Sequence, residues 1–551
     1  MLLSIQRSLK NLAVSLTPLA CGATADAGGS PGWGGPDTRF AFAGEEIRRL
    51  PNESRCGNAR LDAGEVCDDG TENGRAGACD AECQFRCDGP CPLRVDPGRT
   101  APGDGSSWAT ALTSVQEAID AQAARGGGSV WVRGPGPFAE LAAAPGEPLM
   151  ELGPGVTVIG GFAGDERHES ERAPGATTVL VGSRSVDVDP SAPLVVGAAQ
   201  STLIGFTVQG HGGTALVYSN APDFVIGEVT IEDGRPLRSD DVRITNSSGT
   251  IEALRIARSV SLEGVAGLFT EGSTLRIRNS EFDDLSTASV GGAGLHASGS
   301  RLVLENVRFT NNDSDILGAG PGLLLSDSEA VAFASLWRGN RGEDQSLKLL
   351  GSRFVAFDSH FEDNFTADEL GAFLVDETSH AWFVSSSFVG NRATWGGGAL
   401  AVAGRAAVVS STFLDNVCHE PLDGPCGDDI HAVGPLELFN VLSSRSPAAV
   451  NGAFTGTGNC FHDDSELVTR EADGSTVALL PPQSPCVDAG DSEAARSALN
   501  DAERLAAELG VSLPFETDAW WRERSALAGS ASDDGALDPG RHYASPSGVA
   551  P

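Results

Sequence analysis

The residues able to do chemistry fall into three groups. Two short strings set an imidazole or a carboxylate pair beside glycine: Gly210-His211-Gly212 and Gly427-Asp428-Asp429. Histidine and paired carboxylates are the groups from which general acid–base hydrolysis is built. A second group is a scatter of acids in expected turns, Asp313, Asp315, Asp363, Asp368 and Asp376, with Arg338, Arg341, Lys348 and Arg353 nearby. Acids on neighbouring elements could hold Ca²⁺ through hard oxygen ligands, and a cationic side chain of lowered pKa could act as the base. The third group is eleven cysteines. Six cluster at Cys56, Cys67, Cys79, Cys83, Cys87 and Cys91, four lie at Cys418, Cys426, Cys460 and Cys486, and Cys21 stands alone. Both clusters are even, as disulfides in an oxidising compartment require, and the histidines a zinc ribbon often recruits are missing from the first. Asp68-Asp69, in a glycine-rich loop of that first cluster, forms either a Ca²⁺ site or a plain turn. Nucleophile elbows, phosphate loops and HExxH sites are not found. His296, His360 and His380 stand singly and read as surface residues.

Charge and the N-terminus set the compartment. A formal net charge of −37 excludes nucleic acid, which needs clustered Lys and Arg. Lysine occurs only at Lys10 and Lys348. Arg7 and Lys10 precede a short apolar run, Leu12-Ala13-Val14-Ser15-Leu16, the pattern of a bacterial export signal and too brief to span a bilayer. Leu19-Ala20-Cys21-Gly22 is similar to a lipoprotein box, with Pro18 where that family usually has Leu, and implies acylation of Cys21. Ala23-Thr24-Ala25 offers ordinary cleavage instead. Membrane contact is expected only through such an anchor.

The chain divides into a signal at residues 1–21, a tether at 22–54, a Cys-rich module at 55–92, a repeat domain at 93–490 and a terminal segment at 491–551. Within the repeat domain an aromatic recurs three residues before an asparagine: Phe309…Asn312, Trp337…Asn340, Phe361…Asn364, Phe388…Asn391 and Phe413…Asn416. From Phe282 the aromatic spacings are 27, 28, 24, 27 and 25 residues, and glycine-rich turns such as Gly291-Gly292-Ala293-Gly294 lie between. A period near 25 with two or three short strands per repeat predicts one coil of a right-handed parallel β-helix. From Ser129 to Asp491 it allows roughly a dozen coils, about 55–60 Å long at ~4.8 Å per coil. The aromatics should stack inside the tube, and the asparagines should form a ladder outside it, at turns needing left-handed backbone.

Open ends of such a stack expose backbone and core and need caps. Ala111-Leu112, Val115, Ala118-Ile119 and Gln122 have helical spacing and predict the first cap; Ala494 to Glu508 predicts a second, against the C-terminal coil. Trp520-Trp521 beyond it would pack there or stack on a sugar.

Three resemblances follow from these strings. Cys56-Gly57-Asn58, Gly64 to Gly70, Asn73-Gly74, Cys79 and Cys83 resemble a Cys-rich repeat of myxobacterial secreted proteins, with Ala59, Thr71 and Arg75 departing from its pattern. Phe-x-x-Asn with Gly-Gly-Ala-aliphatic resembles the polymorphic outer-membrane protein repeat. The Trp108 region, Gly160-Gly161-Phe162 with Glu166, and Ser484-Pro485-Cys486-Val487-Asp488-Ala489-Gly490 are similar to surface β-helix proteins of the choice-of-anchor type. These likenesses imply a β-helix on the cell surface and no particular activity. Gly-His-Gly and Gly-Asp-Asp are also strings of β-helix polygalacturonases, but here they are in the opposite order and 216 residues separate His211 from Gly427. That is eight or nine coils, roughly 40 Å, whereas glycosidase carboxylates work within ~5–10 Å of the cleaved bond. Asp428-Asp429 is therefore expected at a coil edge, without catalysis.

The expected function is a non-catalytic envelope scaffold binding glycan or another surface ligand. The alternative is a Ca²⁺-dependent polysaccharide lyase or a glycoside hydrolase. Cys418–Cys426 closes a short loop and Cys460–Cys486 ties adjacent coils, so these are the expected pairs. Non-reducing peptide mapping should recover both; Cys418 joined to Cys486 would overturn the assignment.

Overall fold

One repeat shows how the chain folds. Leu295–Ser298, Arg301–Glu305, Arg308–Thr310 and Asp313–Ser314 are four short strands joined by two-residue turns. In the next repeat Leu323–Ser326, Glu329–Phe333, Leu336–Arg338 and Arg341–Gly342 lie on them in parallel register, Leu295 against Leu323, Arg301 against Glu329, Arg308 against Leu336 and Asp313 against Arg341. Each coil thus has four walls, named here in that order. The strands of the first wall form a 12-stranded sheet, the second and third walls share a 25-stranded sheet, and the fourth is 7-stranded. The chain is a right-handed parallel β-helix.

The computed structural model describes residues 91–134, 137–138, 147–182, 193–236, 239–288, 291–315, 320–419, 426–461, 468–472, 475–479, 492–511, 524–525 and 543–544. Cys21, Cys56, Cys67, Cys79, Cys83, Cys87, Cys486, Asp68, Asp69 and Trp520-Trp521 lie outside them. Among the described residues no helix is long and apolar enough to cross a membrane.

Alternating side chains fill the tube. Phe282, Phe309, Trp337, Phe361, Phe388 and Phe413 stack down its interior, with adjacent centroids 4.6–5.3 Å apart and each ring at most 1% exposed. The aromatic ladder lies where the repeat predicts it.

The asparagine ladder does not. Asn312, Asn340, Asn364, Asn391 and Asn416 are all 0% exposed and point into the tube. Asn340 Nδ2 donates to Asn364 Oδ1 (2.9 Å) and to Phe309 O (2.9 Å), and Asn364 Nδ2 repeats the pattern onto Asn391 Oδ1 (2.9 Å) and Trp337 O (2.9 Å). The left-handed residue is the one before: Asn311, Gly339, Asp363, Gly390 and Asp415 have φ of 52–65°. That residue turns the chain and throws the next side chain inward. A buried amide must satisfy two donors and an acceptor, and a copy of itself one coil away supplies both kinds.

The other two tight corners use serine. Ser273, Ser300, Ser328, Ser352 and Ser379 line the first, each hydroxyl accepting the N–H of the serine one coil before it, as in Ser300 N–H to Ser328 Oγ (3.0 Å). Ser335, Ser359, Ser386 and Ser411 repeat this at the second. The period reading missed both columns, although serine recurs at the same spacing as the aromatics.

Helix α1, Val115–Ala124, lies against the first strands and buries Val115, Ala118, Ile119 and Gln122. Ser114 caps it by accepting Glu117 N–H (3.2 Å), and Gln122 Nε2 donates to Cys91 O and Ser129 O (both 2.8 Å). Leu112, expected inside the helix, instead bridges to Val95.

Helix α2, Ser492–Glu508, packs on the flank of the tube, in place of the expected seat on its last coil. Leu499, Ala502, Leu505 and Ala506 meet Val303, Val331, Val355, Phe357, Trp382, Val384, Ala407 and Val409. Those eight are outward positions of the second wall, in register from coil to coil. The reason is in the sequence: Phe354-Val355-Ala356-Phe357 and Ala381-Trp382-Phe383-Val384 are apolar without alternation, which only a wall covered on both faces tolerates.

Where α2 is absent, outward positions carry charge. Arg255 meets Glu281 (2.8 Å), Arg276 and Arg278 meet Glu305, and Glu329 joins Arg301 to Arg353, which also reaches Glu508 of α2 (2.9 Å). Opposite charges on adjacent strands are the favourable pairing.

Phe361→Ala should cost about 3–5 kcal/mol, the range for emptying a large aromatic site. Asn364→Ala should cost a similar amount, about 3–5 kcal/mol, because it strands several buried donors and acceptors at about 1–3 kcal/mol each. Thermal melts of the two variants check this; a mild Asn364→Ala would mean that water enters the corner.

Candidate functional site

The two glycine-flanked strings sit at opposite ends of two buried columns that face each other across the fourth wall. Following the backbone bonds from coil to coil, the asparagine column continues upward as Leu285, Ser259, Gly234 and His211. Eight steps separate His211 from Asn416, about 38 Å at ~4.8 Å each. Across the fourth wall, each first-wall strand is preceded by a small residue: Gly267, Gly294, Gly322, Ser346, Ala372 and Ala399. At Gly294 a Cβ would fall 2.3 Å from Gly322 O, so the column has no room for bulk. Asp241 and Asp429 occupy this column on either side of those six.

At the upper end His211 Nε2 lies 3.3 Å from Asp241 Oδ1, with side chains 1% and 0% exposed. His211 Nδ1 lies 2.6 Å from Gly213 O, which places the ring proton there and leaves Nε2 as an acceptor. Gly234 is required: a Cβ would stand 2.4 Å from both His211 Nε2 and Ser259 Oγ, so the imidazole fills the space that a side chain would take. Burial pushes the His211 pKa down to about 4, against the pull of the Gly213 carbonyl, and pushes the Asp241 carboxyl well above its ordinary range. Burial thus disfavours the charged form of both groups.

At the lower end Asp429 is 1% exposed and takes Asn416 Nδ2–H (3.0 Å) and Ser443 Oγ–H (2.6 Å). It is not at a coil edge, as expected, but inside the tube, because its carboxylate takes the N–H that the last amide of the ladder, Asn416, would otherwise give to a further asparagine, the other N–H going to Phe388 O (3.0 Å). Its neighbour Asp428 does face outward and pairs with Arg445 (3.1 Å).

The scattered acids and bases do not converge. Asp313 and Arg341 oppose each other on the fourth wall, and Asp363 turns the third corner. Asp376 accepts the Gly351 and Thr378 N–H groups (both 3.2 Å) at the first corner. Arg338 meets Glu362 on the third wall, Arg353 lies beside α2, and Lys348 is on the first wall. Burial, then Asp315, lifts the Asp313 carboxyl; burial, then Glu362, lifts Asp363. Among the described residues no three His, Cys, Asp or Glu stand close enough to hold a metal ion.

Cys418 and Cys426 are joined, as expected, and Cys91 and Cys460 are disulfide-bonded. Trp108, Phe162 and Glu166, distant in sequence, form one cluster. Trp108 Nε1–H donates to Glu166 O (2.9 Å), Trp131 stacks on Phe162 (4.8 Å), and the Glu166 carboxylate accepts Ala163 and Gly164 N–H (2.6 and 2.9 Å). Beside it a cavity of about 470 Å³ is lined by Gly134, Asp165, Glu171 and Ala176 among others.

The outward face of the first wall is the one with the chemistry of a binding surface. A single register row runs Val217, Arg243, Phe269, His296, Leu324, Lys348, Leu374, Ala401, His431, Asn451, one residue per coil. Arg243 lies over the Phe269 ring (4.8 Å) and His296 meets its edge (5.3 Å). Each cation of the row has its own carboxylate: Asp240 on Arg243 (2.6 Å) and buried Asp344 on Lys348 (2.5 Å). Burial lowers His296 to about 4 and also lowers His431, so both rings are neutral hydrogen-bonding groups at pH 7. Sequence reading had passed over His296 as isolated; the signal was its place, one residue into a strand, in step with Phe269 and Lys348.

No family model matches the chain, and no curated protein matches it. Among solved structures it is similar to the A-module of the Azotobacter vinelandii mannuronan C-5 epimerase AlgE6, at 12% identity over 62% of this chain and 94% of that one, with a TM-score of 0.28. PfbA, a surface adhesin of Streptococcus pneumoniae, gives 11%, 70%, 99% and 0.27. The pectate lyase Pel9A gives 13%, 73%, 92% and 0.33.

At neutral pH the ring ¹⁵N shifts of His211 should report a neutral imidazole protonated on Nδ1. A ring titrating near its ordinary 6.5 would show that the corner is open to water.

Proposed function

We propose that the chain is an exported cell-envelope protein that holds an extended glycan along the outward face of its first wall. The observation that carries this reading is the register row centred on Arg243, Phe269, His296 and Lys348. Half-buried Phe269 and Leu374 stand there among neutral imidazoles and internally matched cations at a ~4.8 Å step, while Leu324 and Ala401 of the same row are buried. A chain-like ligand lying along the axis meets these contacts where the row is partly open, at Arg243, Phe269, His296, Lys348 and Leu374. The second wall has no such role where α2 covers it, and the third is occupied by charge pairs. The export signal, the Cys21 lipid box and the tether support display at the envelope, and the surface β-helix resemblance agrees.

Because the cations are matched by their own carboxylates, affinity for a neutral glycan should change little with salt. In a glycan-array or affinity-electrophoresis screen, Phe269→Ala should weaken binding about tenfold or more, roughly 1.4 kcal/mol. Val260→Ala, an exposed change on the fourth wall, should leave it unchanged. Unchanged binding in Phe269→Ala would move the site off this wall, and turnover of any bound polymer would replace the scaffold reading with an enzymatic one.

A further inference from the structure

The row through Arg243, Phe269 and His296 has a second row beside it on the same face. Two residues further along each strand of the first wall stand Ser219, Thr245, Glu271, Ser298 and Ser326, again one per coil and in register. The residues between the rows, Tyr218, Ile244, Thr270, Ala297 and Leu325, are buried. Two strand residues span about 6.6 Å, so the rows run side by side at about that distance. The second row is made of hydroxyls, with Ser219 Oγ and Thr245 Oγ1 2.9 Å apart, and Glu271 is the exception in it.

The charges of this face do not cancel. Arg243 is matched by Asp240 and Lys348 by Asp344, so neither cation is spare. Glu271 is exposed, and among the described residues no cation stands within ion-pair distance of its carboxylate. On the second and third walls the strand glutamates are treated differently: Glu281, Glu305, Glu329 and Glu362 each hold an arginine. Asp376, further down the first wall, has its carboxylate taken by Gly351 and Thr378 N–H and by the Ser379 hydroxyl. Glu271 therefore stands two residues along the strand from Phe269 with its oxygens unclaimed.

Resting on the reading that this wall holds a glycan, we propose that Glu271 makes the face selective for amino sugars. A pyranose stacked on the Phe269 ring projects its edge substituents across the gap to the second row. Hydroxyls there reach Thr245 and Ser298 on the adjacent coils, and an ammonium reaches the Glu271 carboxylate in a charge-assisted hydrogen bond. A uronate or sulfate in the same place meets Glu271 with no unmatched cation to receive it. The formal net charge of −37 adds to that repulsion.

Binding of 1,4-linked oligomers of equal length to the full chain tests the assignment, with glucosamine, N-acetylglucosamine and glucuronate as the three probes. At about pH 5.5 a sugar amine is protonated and surface carboxylates are ionised. The glucosamine oligomer should then bind about threefold or more tighter than its N-acetylated form, and the glucuronate oligomer weakest. Added salt should shrink the preference for the amine, and Glu271→Gln should remove it. Glu343→Gln, the same change of charge next to the fourth-wall strand Arg341–Gly342, should keep it. Equal binding of the amino and N-acetyl oligomers, tighter binding of the glucuronate, or a preference that survives Glu271→Gln overturns the inference. If Phe269→Ala still weakens the N-acetyl oligomer in those cases, the first-wall site stands without its selectivity. No binding of any probe, or binding that ignores both Phe269→Ala and Glu271→Gln, overturns the site as well.

Discussion

The structure depends on satisfying polar groups at corners inside an apolar tube. A chain that turns every few residues must bury peptide groups at each turn, and an unpaired buried group costs about 1–3 kcal/mol. The corners meet this with small polar side chains stacked in register, asparagine at one corner and serine at two. Once those columns are fixed, the strands between them can differ only in their outward residues. Register, wall length and the position of the aromatic stack all follow from the corners.

This explains which parts of the fold were legible. The aromatic period gave the coil, because a stacked ring must recur whenever the chain passes the same point. The face occupied by the asparagine was misjudged because its usual association with left-handed backbone was assigned to the wrong residue of the turn. The pair Asp363-Asn364 shows the division: the first residue takes the strained φ and the second points inward. Serine columns were passed over because serine is common and carries no period to the eye. The seat of α2 was readable from runs such as Ala330-Val331-Ala332-Phe333, where alternation fails.

The candidate site was less legible. His211 and Asp429 stood out as catalytic strings, and their distance along the chain correctly kept them apart. What one sequence could not show is that they lie in two facing buried columns, since the residues linking them, Gly234 and Leu285 among them, share no type. The first-wall row was harder still. Arg243, Phe269, His296 and Lys348 become neighbours only when the register is known, and their spacings of 26, 27 and 52 residues look unremarkable in the linear chain. Display on a repeating scaffold separates the residues that build the frame from those that face a ligand, and only the former repeat.

Helix α2 has a mechanical consequence. A stack of coils loaded along its axis fails at its weakest junction, and each junction is on its own a short strip of parallel strands. Because α2 belongs to one apolar cluster with second-wall residues from Val303 to Phe439, it shares a lateral seam with six successive coils. A pull that separates any two of them must also shear the helix from its apolar bed. That stretch should behave as one stiff rod under tension, with compliance confined to the coils above Val303 and below Phe439, the arrangement expected of a spacer that must hold a surface at a set distance.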